Sequence, residues 1–399
     1  MFVDHSAPRS EYFLGIQAAL HRAGLAEPVL VVDGERLDAN LAFLRSDVAD
    51  ELAVRLVSKS LPCLPLLAHA RSSLGTDRLM TFNLPMLVEL ARTMPEADQM
   101  LGKPLPVAAA ARFLQTELPD EAADRVRWLV DTDERLAQYE ATASELRRSL
   151  RIVLELDIGL HRGGFVPGPE LGQALERLRR SDVLRFAGFM GYEAHLAKVP
   201  TVLGWRRRQI QAVQDLYRRA DALALEVFGE RPADAVRNAA GSPTYRFYEN
   251  TDVADEIAVG SALVKPTDFD LETLASFQPA LFVATPALKV LRGTRIPVLE
   301  VFDRVKRLLD PDLAQTVFIH GGYWKAEPVD PPGLRINGTY GRSTNQEMLN
   351  LGRRATIQAD DFVFLRPTQS EAVMLQFGTV AVYRGGEIQD TWATLPPSA

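Results

Sequence analysis

Arg55-Leu-Val-Ser-Lys59-Ser-Leu-Pro62 sets a lysine just after a short apolar run. Parallel barrels keep their reactive groups there, at the carboxyl ends of strands. A lysine that attacks an aldehyde must be neutral, and burial beside other cations depresses its pKa enough to allow it. Taken alone, a lysine in this place is more often simply a solvated loop residue. Four further segments change that. Asn238-Ala-Ala-Gly241-Ser242-Pro-Thr244 and Ile257-Ala-Val-Gly260-Ser261 each follow a strand-like run. Small residues with open backbone N–H groups and hydroxyls at the ends of late barrel strands make a phosphate cradle. A single Gly-Ser is commonly only a turn, whereas two in succession point to an anion. Glu155-Leu-Asp157-Ile-Gly159-Leu-His161-Arg162-Gly163-Gly164 and Gly188-Phe-Met-Gly191-Tyr192-Glu193-Ala-His195 load two more strand ends with charge, which rarely serves packing.

The elements that would position these residues alternate along the chain. Apolar, β-branched runs occur at Pro28 to Asp33, Ala53 to Ser58, Arg78 to Phe82, Val126 to Asp131, Arg151 to Asp157, Phe186 to Tyr192, Ala233 to Ala239 and Asp255 to Val259. Helical patterning lies between them, as in Glu35 to Arg45, where Leu37, Leu41 and Leu44 share a face, and in Pro169 to Arg180, where Leu171, Leu175 and Leu178 do. Such alternation predicts a parallel α/β fold, and about eight units fit a (β/α)8 barrel. Beyond Asp270 the texture changes to short runs broken by Pro and Gly: LFVATPALKVLR, IPVLEVFDRV, TVFIHGGYWKA, DFVFLRP and TVAVYRGGEIQDTW. The expected organisation is an N-terminal helix over residues 1–27 that packs with the C-terminal domain, a barrel over 28–270 and a C-terminal β domain over 271–399. Trp205-Arg-Arg-Arg-Gln209 reads as the solvated start of an amphipathic helix, and Cys63 as a core residue.

With these motifs in order, the chain resembles the fold-type III pyridoxal phosphate (PLP) enzymes, the group of D-threonine aldolase, D-serine dehydratase and the bacterial amino acid deaminase/aldolase proteins. The resemblance runs from Val31-Val-Asp33 and Asp38-Ala-Asn40 through the lysine segment, Asp-x-Gly-x-x-Arg-x-Gly, Gly-Tyr-Glu-x-His and both Gly/Ser segments, to His320-Gly-Gly-Tyr323-Trp-Lys325-Ala. It implies an alanine racemase-like barrel with a C-terminal β domain and active sites completed in a homodimer. By position it implies that Lys59 is the Schiff-base lysine and the base at Cα, that Arg162 faces the pyridine nitrogen, and that Tyr192 lies beside the cofactor. Ser242, Thr244, Gly260 and Ser261 would bind the phosphate, and His195 would be a second acid or base. An arginine at the ring nitrogen cannot supply a proton, so less carbanion charge spreads into the ring than an aspartate partner would permit.

The departures from that pattern bear on the reaction. Metal-dependent members carry Pro-Asn-His-x-Cys or Pro-Asn-His-x-Asp in the β domain. The best match here is Pro367-Thr-Gln369-Ser-Glu371, and the earlier Glu-Glu-His-Gly element becomes Gln346-Glu347-Met348-Leu349. Glutamine is a poor ligand for zinc or manganese. Gln369 and Glu371, with Glu347, are therefore weak metal candidates, and none of the six histidines is paired at ligand spacing. Alanine stands at 262 where the aldolase pattern tends to tyrosine, and Arg55-Leu56-Val57 replaces Arg-Pro-His.

The resemblance implies a lyase that cleaves Cα–Cβ or removes the β-hydroxyl of a D-configured β-hydroxy amino acid. Racemisation is the alternative, and it needs a tyrosine such as Tyr323, Tyr340 or Tyr245 on the opposite face of Cα. A non-catalytic PLP-binding protein is the alternative of another class. The net charge of −7, the pI near 5.6 and the scattered basic residues argue against nucleic acid or an anionic membrane as partner. With one cysteine and no long apolar stretch, the expectation is a cytoplasmic protein.

Overall fold

The computed structural model describes residues 4–119, 121–294, 310–338 and 340–396. The chain divides into two compact units, one of Met1–Asn40, Leu263–Asp270 and Phe277–Thr394, the other of Leu41–Ala262, Leu271–Ser276 and Leu395–Ala399.

The N-terminal helix α1 (Glu11–Arg22) precedes strand β1 (Val29–Asp33) and helix α2 (Gly34–Asp47). The barrel strands follow: β2 (Ala53–Val57), β3 (Arg78–Thr81), β4 (Asp98–Leu101), β5 (Val126–Val130), β6 (Leu150–Leu156), β7 (Leu184–Gly191), β8 (Val236–Ala239) and β9 (Glu256–Val259). They close in that order, each parallel to the next, and β9 pairs back onto β2. Helices α3 (Leu64–Leu74), α4 (Leu84–Thr93), α5 (Val107–Leu114), α6 (Asp133–Leu146), α7 (Pro169–Arg180) and α8 (Trp205–Phe228) alternate with them. Local chemistry starts several of these. Asn83 and Thr132 cap α4 and α6 by accepting the Met86 and Arg135 N–H groups, and Pro169 opens α7 where a missing N–H costs nothing. The Trp205 cluster does begin a helix, and Cys63 is buried, its thiol pushed up to about 11 by that burial.

Two strands differ from the sequence expectation. The run at Pro28 to Asp33, counted there as a barrel strand, pairs antiparallel with β10 (Leu281–Arg292) and parallel with β16 (Thr379–Arg384), in the sheet of the other unit. The eighth barrel strand is instead β4, which the sequence reading passed over. Its first two residues are polar because each has a partner on a neighbouring strand: Asp98 bonds Arg55 and Arg127, and Gln99, on the opposite face of the strand, bonds Thr81.

The remaining strands are β11 (Gln315–His320), β12 (Ala326–Asp330), β13 (Arg335–Ile336), β14 (Gln346–Leu351), β15 (Phe362–Pro367) and β17 (Glu387–Ala393). With β1, β10 and β16 they form a nine-stranded sheet along β13-β14-β11-β10-β1-β16-β17, with β15 paired to β10 and β12. The run IPVLEVFDRV lies outside the described residues. Ile16 and Leu20 of α1 share a core with Val31, Phe282, Phe362 and Phe364, and Phe13 adds edge-to-face contact with Phe282 at 5.2 Å. Arg9 ties the entry to α1 down through Asp330 at 2.7 Å.

Candidate active site

Asp157 organises the loop that follows β6. Its Oδ1 accepts the N–H groups of Gly159 and His161, both at 3.1 Å, and its Oδ2 lies 2.9 Å from His161 Nδ1. Burial pushes the Asp157 carboxyl up, but these bonds outweigh it and hold the group below its ordinary value. The loop then folds back on the strand. Phe165 N–H donates to Glu155 O at 2.7 Å, and Asp157 N–H to Phe165 O at 3.0 Å. That return needs glycine at 164, which has φ +102° and whose Cβ would sit 2.8 Å from the Asp157 and Glu155 backbone. The result presents Arg162 at the strand end, 3.7 Å from Glu155, with its guanidinium carbon 5.4 Å from the centre of the Tyr192 ring.

Tyr192 directly follows β7, and its ring fills the space beside Gly241, where a Cβ would come within 2.4 Å of it. Beyond Gly241, the Ser242 hydroxyl accepts two backbone N–H groups, Gly260 at 3.2 Å and Ala262 at 3.1 Å. The Ser261 and Ser60 hydroxyls share a hydrogen bond at 2.9 Å. Gly260 lies so close to β2 that a Cβ there would meet Val57 and Ser60 at 2.8 and 3.0 Å. Lys59 occupies the short 3-10 turn Ser58–Ser60 at the end of β2, its Nζ 4.7 Å from the centre of the Phe82 ring at the end of β3. The structure thus links Lys59 and Ser60, Gly260 and Ser261, Ser242, Tyr192 and Arg162 around one end of one barrel.

His195 stands beside the Asp157 loop, where a Cβ on Gly159 would be 3.3 Å from its Nε2. Burial, and then His161, hold the imidazole below its ordinary pKa, and its buried Nδ1 has no hydrogen-bond partner. Thr244, expected among the phosphate binders, is engaged within the turn that carries Ser242. It is fully buried, it donates its hydroxyl hydrogen to Glu193 Oε1 at 2.6 Å, and it accepts the Gly241 N–H at 3.1 Å. It braces the turn.

Two residues were not singled out from sequence. Ser60 sits beside Lys59 and reads as ordinary turn chemistry. Glu193, inside the Gly-Tyr-Glu-x-His element, is wholly buried, and only the packing reveals that. Of the weak metal candidates, Gln369 has both ends of its amide engaged, accepting from Lys325 Nζ and donating to Asp268 at 2.9 Å. Glu347 is buried in β14 and paired with Arg342. Glu371 lies in the first turn of the short helix α9 (Ser370–Met374). No group of three or more His, Cys, Asp or Glu among the described residues could hold a metal ion.

The model of one family, alanine racemase, N-terminal domain, matches residues 32–268. The chain belongs to that family. It is a fold-type III family and implies pyridoxal phosphate. No curated protein matches the chain by sequence. Among solved structures, D-threonine aldolase from Filomicrobium marinum superposes at a TM-score of 0.72, 16% identical, over 93% of this chain and 95% of that one. D-threo-3-hydroxyaspartate dehydratase from Delftia sp. HT23 gives 0.70 and 15% over 93% and 97%. Alanine racemase of Clostridium difficile 630 gives 0.66 and 13% over 92% and 98%. At these identities the likeness is one of fold, a closed barrel accompanied by an antiparallel sheet.

The barrel end of this family member fits the cofactor by its own chemistry. Gly241 and Gly260 let the Tyr192 ring and the end of β2 pack closely against them, and this brings the neutral hydroxyls of Ser60, Ser242 and Ser261 together at one place, the kind of donor a phosphate requires. A lysine and an arginine flank that cradle. No helix of the described residues is long and apolar enough to cross a membrane.

Proposed function

We propose that the chain is a PLP-dependent amino-acid lyase acting on a D-configured β-hydroxy amino acid, with Lys59 as the residue that carries the cofactor. The observation behind this reading is the ring of strand-end groups from Lys59 through Ser261 and Ser242 to Tyr192 and Arg162. The choice of lyase and substrate follows the aldolase and dehydratase among the similar folds.

Ser242, Ser261 and the Gly260 turn would hold the phosphate, and Tyr192 would lie beside the cofactor. Arg162, oriented by Glu155 and Tyr192, would face the ring nitrogen as a donor that keeps its own protons. When bound, PLP supplies the electron sink for the pair left at Cα by bond cleavage. Lys59 Nζ takes or returns the proton at Cα. His195, with its pKa lowered, is a base for the β-hydroxyl: removal of that proton accompanies Cα–Cβ cleavage to glycine and an aldehyde. If instead the Cα proton and the β-hydroxyl leave together as water, the enamine released tautomerises to an imine, and a water from solvent hydrolyses it to ammonia and a keto acid. The molecule works as a homodimer.

Racemisation is the second reading, and one observation favours it. Tyr323 is 60% exposed, in a left-handed turn after β11, with the Arg342 guanidinium 5.0 Å from its ring centre. Such a phenol is available to a partner subunit. Tyr245 is not, because it is buried and bonded to Asp47.

Borohydride treatment of the PLP-loaded protein, followed by peptide mapping, tests the assignment. A pyridoxyl group on Lys59, absent from Lys59→Ala, is expected, and its absence from the wild type would refute it. A panel of D- and L-β-hydroxy amino acids then separates the reactions. Aldehyde or ammonia release marks the lyase, and loss of optical rotation without a carbonyl product marks the racemase.

A further inference from the structure

Glu193 takes no part in the chemistry proposed above, yet it is the most anomalous polar group at this end of the barrel. Its side chain is fully buried, Thr244 donates to Oε1, and Oε2 has no hydrogen-bond partner. A buried carboxylate oxygen without a donor is costly, whereas a protonated carboxyl leaves no net charge to compensate. The groups that act on it most strongly are neutral hydroxyls and an amide rather than cations. From α8 comes Tyr217, whose hydroxyl is already donated to Asn238 O at 2.8 Å. From the segment after β8 come Thr244 and Tyr248, and from β6 comes Glu155, which acts on the same Tyr217. Both phenols are held well above their ordinary range by burial and by Glu193, so they remain neutral. Its own segment also carries Tyr192 and His195, the imidazole of the latter pushed toward the neutral form. Burial raises Glu193 to about 7 against the lowering effect of Thr244, Tyr248 and the Ala240 amide.

Its position matters because one side chain separates it from the cradle. Glu193 takes the Thr244 hydrogen, Thr244 takes the Gly241 N–H, and the next residue, Ser242, gathers the Gly260 and Ala262 N–H groups. We propose that Glu193 is a charge gate on the cradle. Its carboxyl must carry a proton for a dianionic phosphate to settle on Ser242 and residues 260–262, so that loading of PLP takes up a proton from solvent at Glu193. Thr244 acts through Glu193 and Gly241, and is a positioning residue. The proposal rests on the cofactor reading given above.

The test measures PLP affinity of the full chain from about pH 6 to about pH 9 for wild type and Glu193→Gln, with calorimetry in buffers of different ionisation enthalpy to count protons. Every other group is common to both proteins, so the ratio of the two affinities isolates Glu193. Glutamine keeps an acceptor for Thr244 and cannot ionise. The variant should match wild type at low pH and gain over it by up to about ten-fold per pH unit above the midpoint, with correspondingly less proton uptake. Pyridoxal, which lacks the phosphate, should show no such divergence. A ratio independent of pH would overturn the gate. Thr244→Val provides a second route if Glu193→Gln does not fold. Loss of the donor makes the carboxylate harder to form, so the affinity of that variant should persist to higher pH than in wild type. A uniform loss at every pH would instead make Thr244 a phosphate ligand and end the proposal. If wild type binds no PLP at any pH, the cofactor assignment itself fails and takes the gate with it.

Discussion

Arg55, near the amino-terminal end of the barrel, is fully buried and satisfied: it bonds both oxygens of Glu256 at 2.6 and 2.9 Å, Asp98 Oδ1 at 3.0 Å and the Leu79 and Asp98 carbonyls. Arg78 joins Glu256, Arg127 joins Asp98, and Arg151 joins Asp234. At the carboxyl end, by contrast, Glu193 Oε2 and His195 Nδ1 are buried without partners, and Arg162 meets Glu155 only at 3.7 Å. The same residue types therefore do opposite things. Where every donor meets an acceptor, the charges are settled. Burial depresses neither carboxylate of the lower network in the end: it raises both Glu256 and Asp98, but the arginines outweigh it and leave them below their ordinary values. At the upper end burial wins, and Glu193 rises to about 7. Unsatisfied, movable protons belong to a site, and satisfied ones to a scaffold.

The sharpest separation of the two ends is Lys59→Ala. It should lower turnover by at least about a thousand-fold with little change in melting temperature, measured by steady-state kinetics and thermal denaturation. A destabilised protein would show that the lysine belongs to the scaffold. Glu256→Ala should do the reverse. It leaves Arg55 buried without its main partner and should cost about 3–5 kcal/mol in denaturant unfolding, while any folded fraction still takes up PLP. Gly241→Ala is smaller in effect. Its methyl displaces the Tyr192 ring, an overpacking worth about 1–3 kcal/mol, and should appear as weaker PLP binding in a fluorescence titration.

The smallest effect is on the pH dependence of stability. Glu256 and Asp98 have folded-state pKa values below their unfolded ones. Their contribution is present above the unfolded values and is lost as the pH falls through the folded ones. Glu193 has the opposite sign: its contribution is full below the ordinary value of 4.5 and is lost as the pH rises to about 7. Unfolding free energies across that interval should slope downward with pH in wild type, and the slope should be shallower in Glu193→Gln. An unchanged slope would assign it to another group.

The barrel was legible in the chain because strand runs and helical stripes have different periods, as at Ala53 to Ser58 and Pro169 to Arg180. So was the density of charge and glycine at the ends of β6 and β7, since a polar strand end needs a reason. Val29–Asp33 was assigned to the wrong sheet because a fully buried run looks alike in either one. Asp98-Gln99 was missed because its polar residues are paired with groups on other strands, distant in sequence.

Sequence by itself determined the alternation of elements, the lysine after β2, the paired Gly/Ser segments and the glutamine at 369, for each is a property of neighbouring residues. Tertiary structure alone decided which strands close the barrel, that Thr244 serves Glu193, and that one end of the barrel is electrostatically complete while the other is not. Those outcomes depend on burial and on partners brought together from far along the chain, and a carboxyl group's charge is set by the surroundings it is folded into.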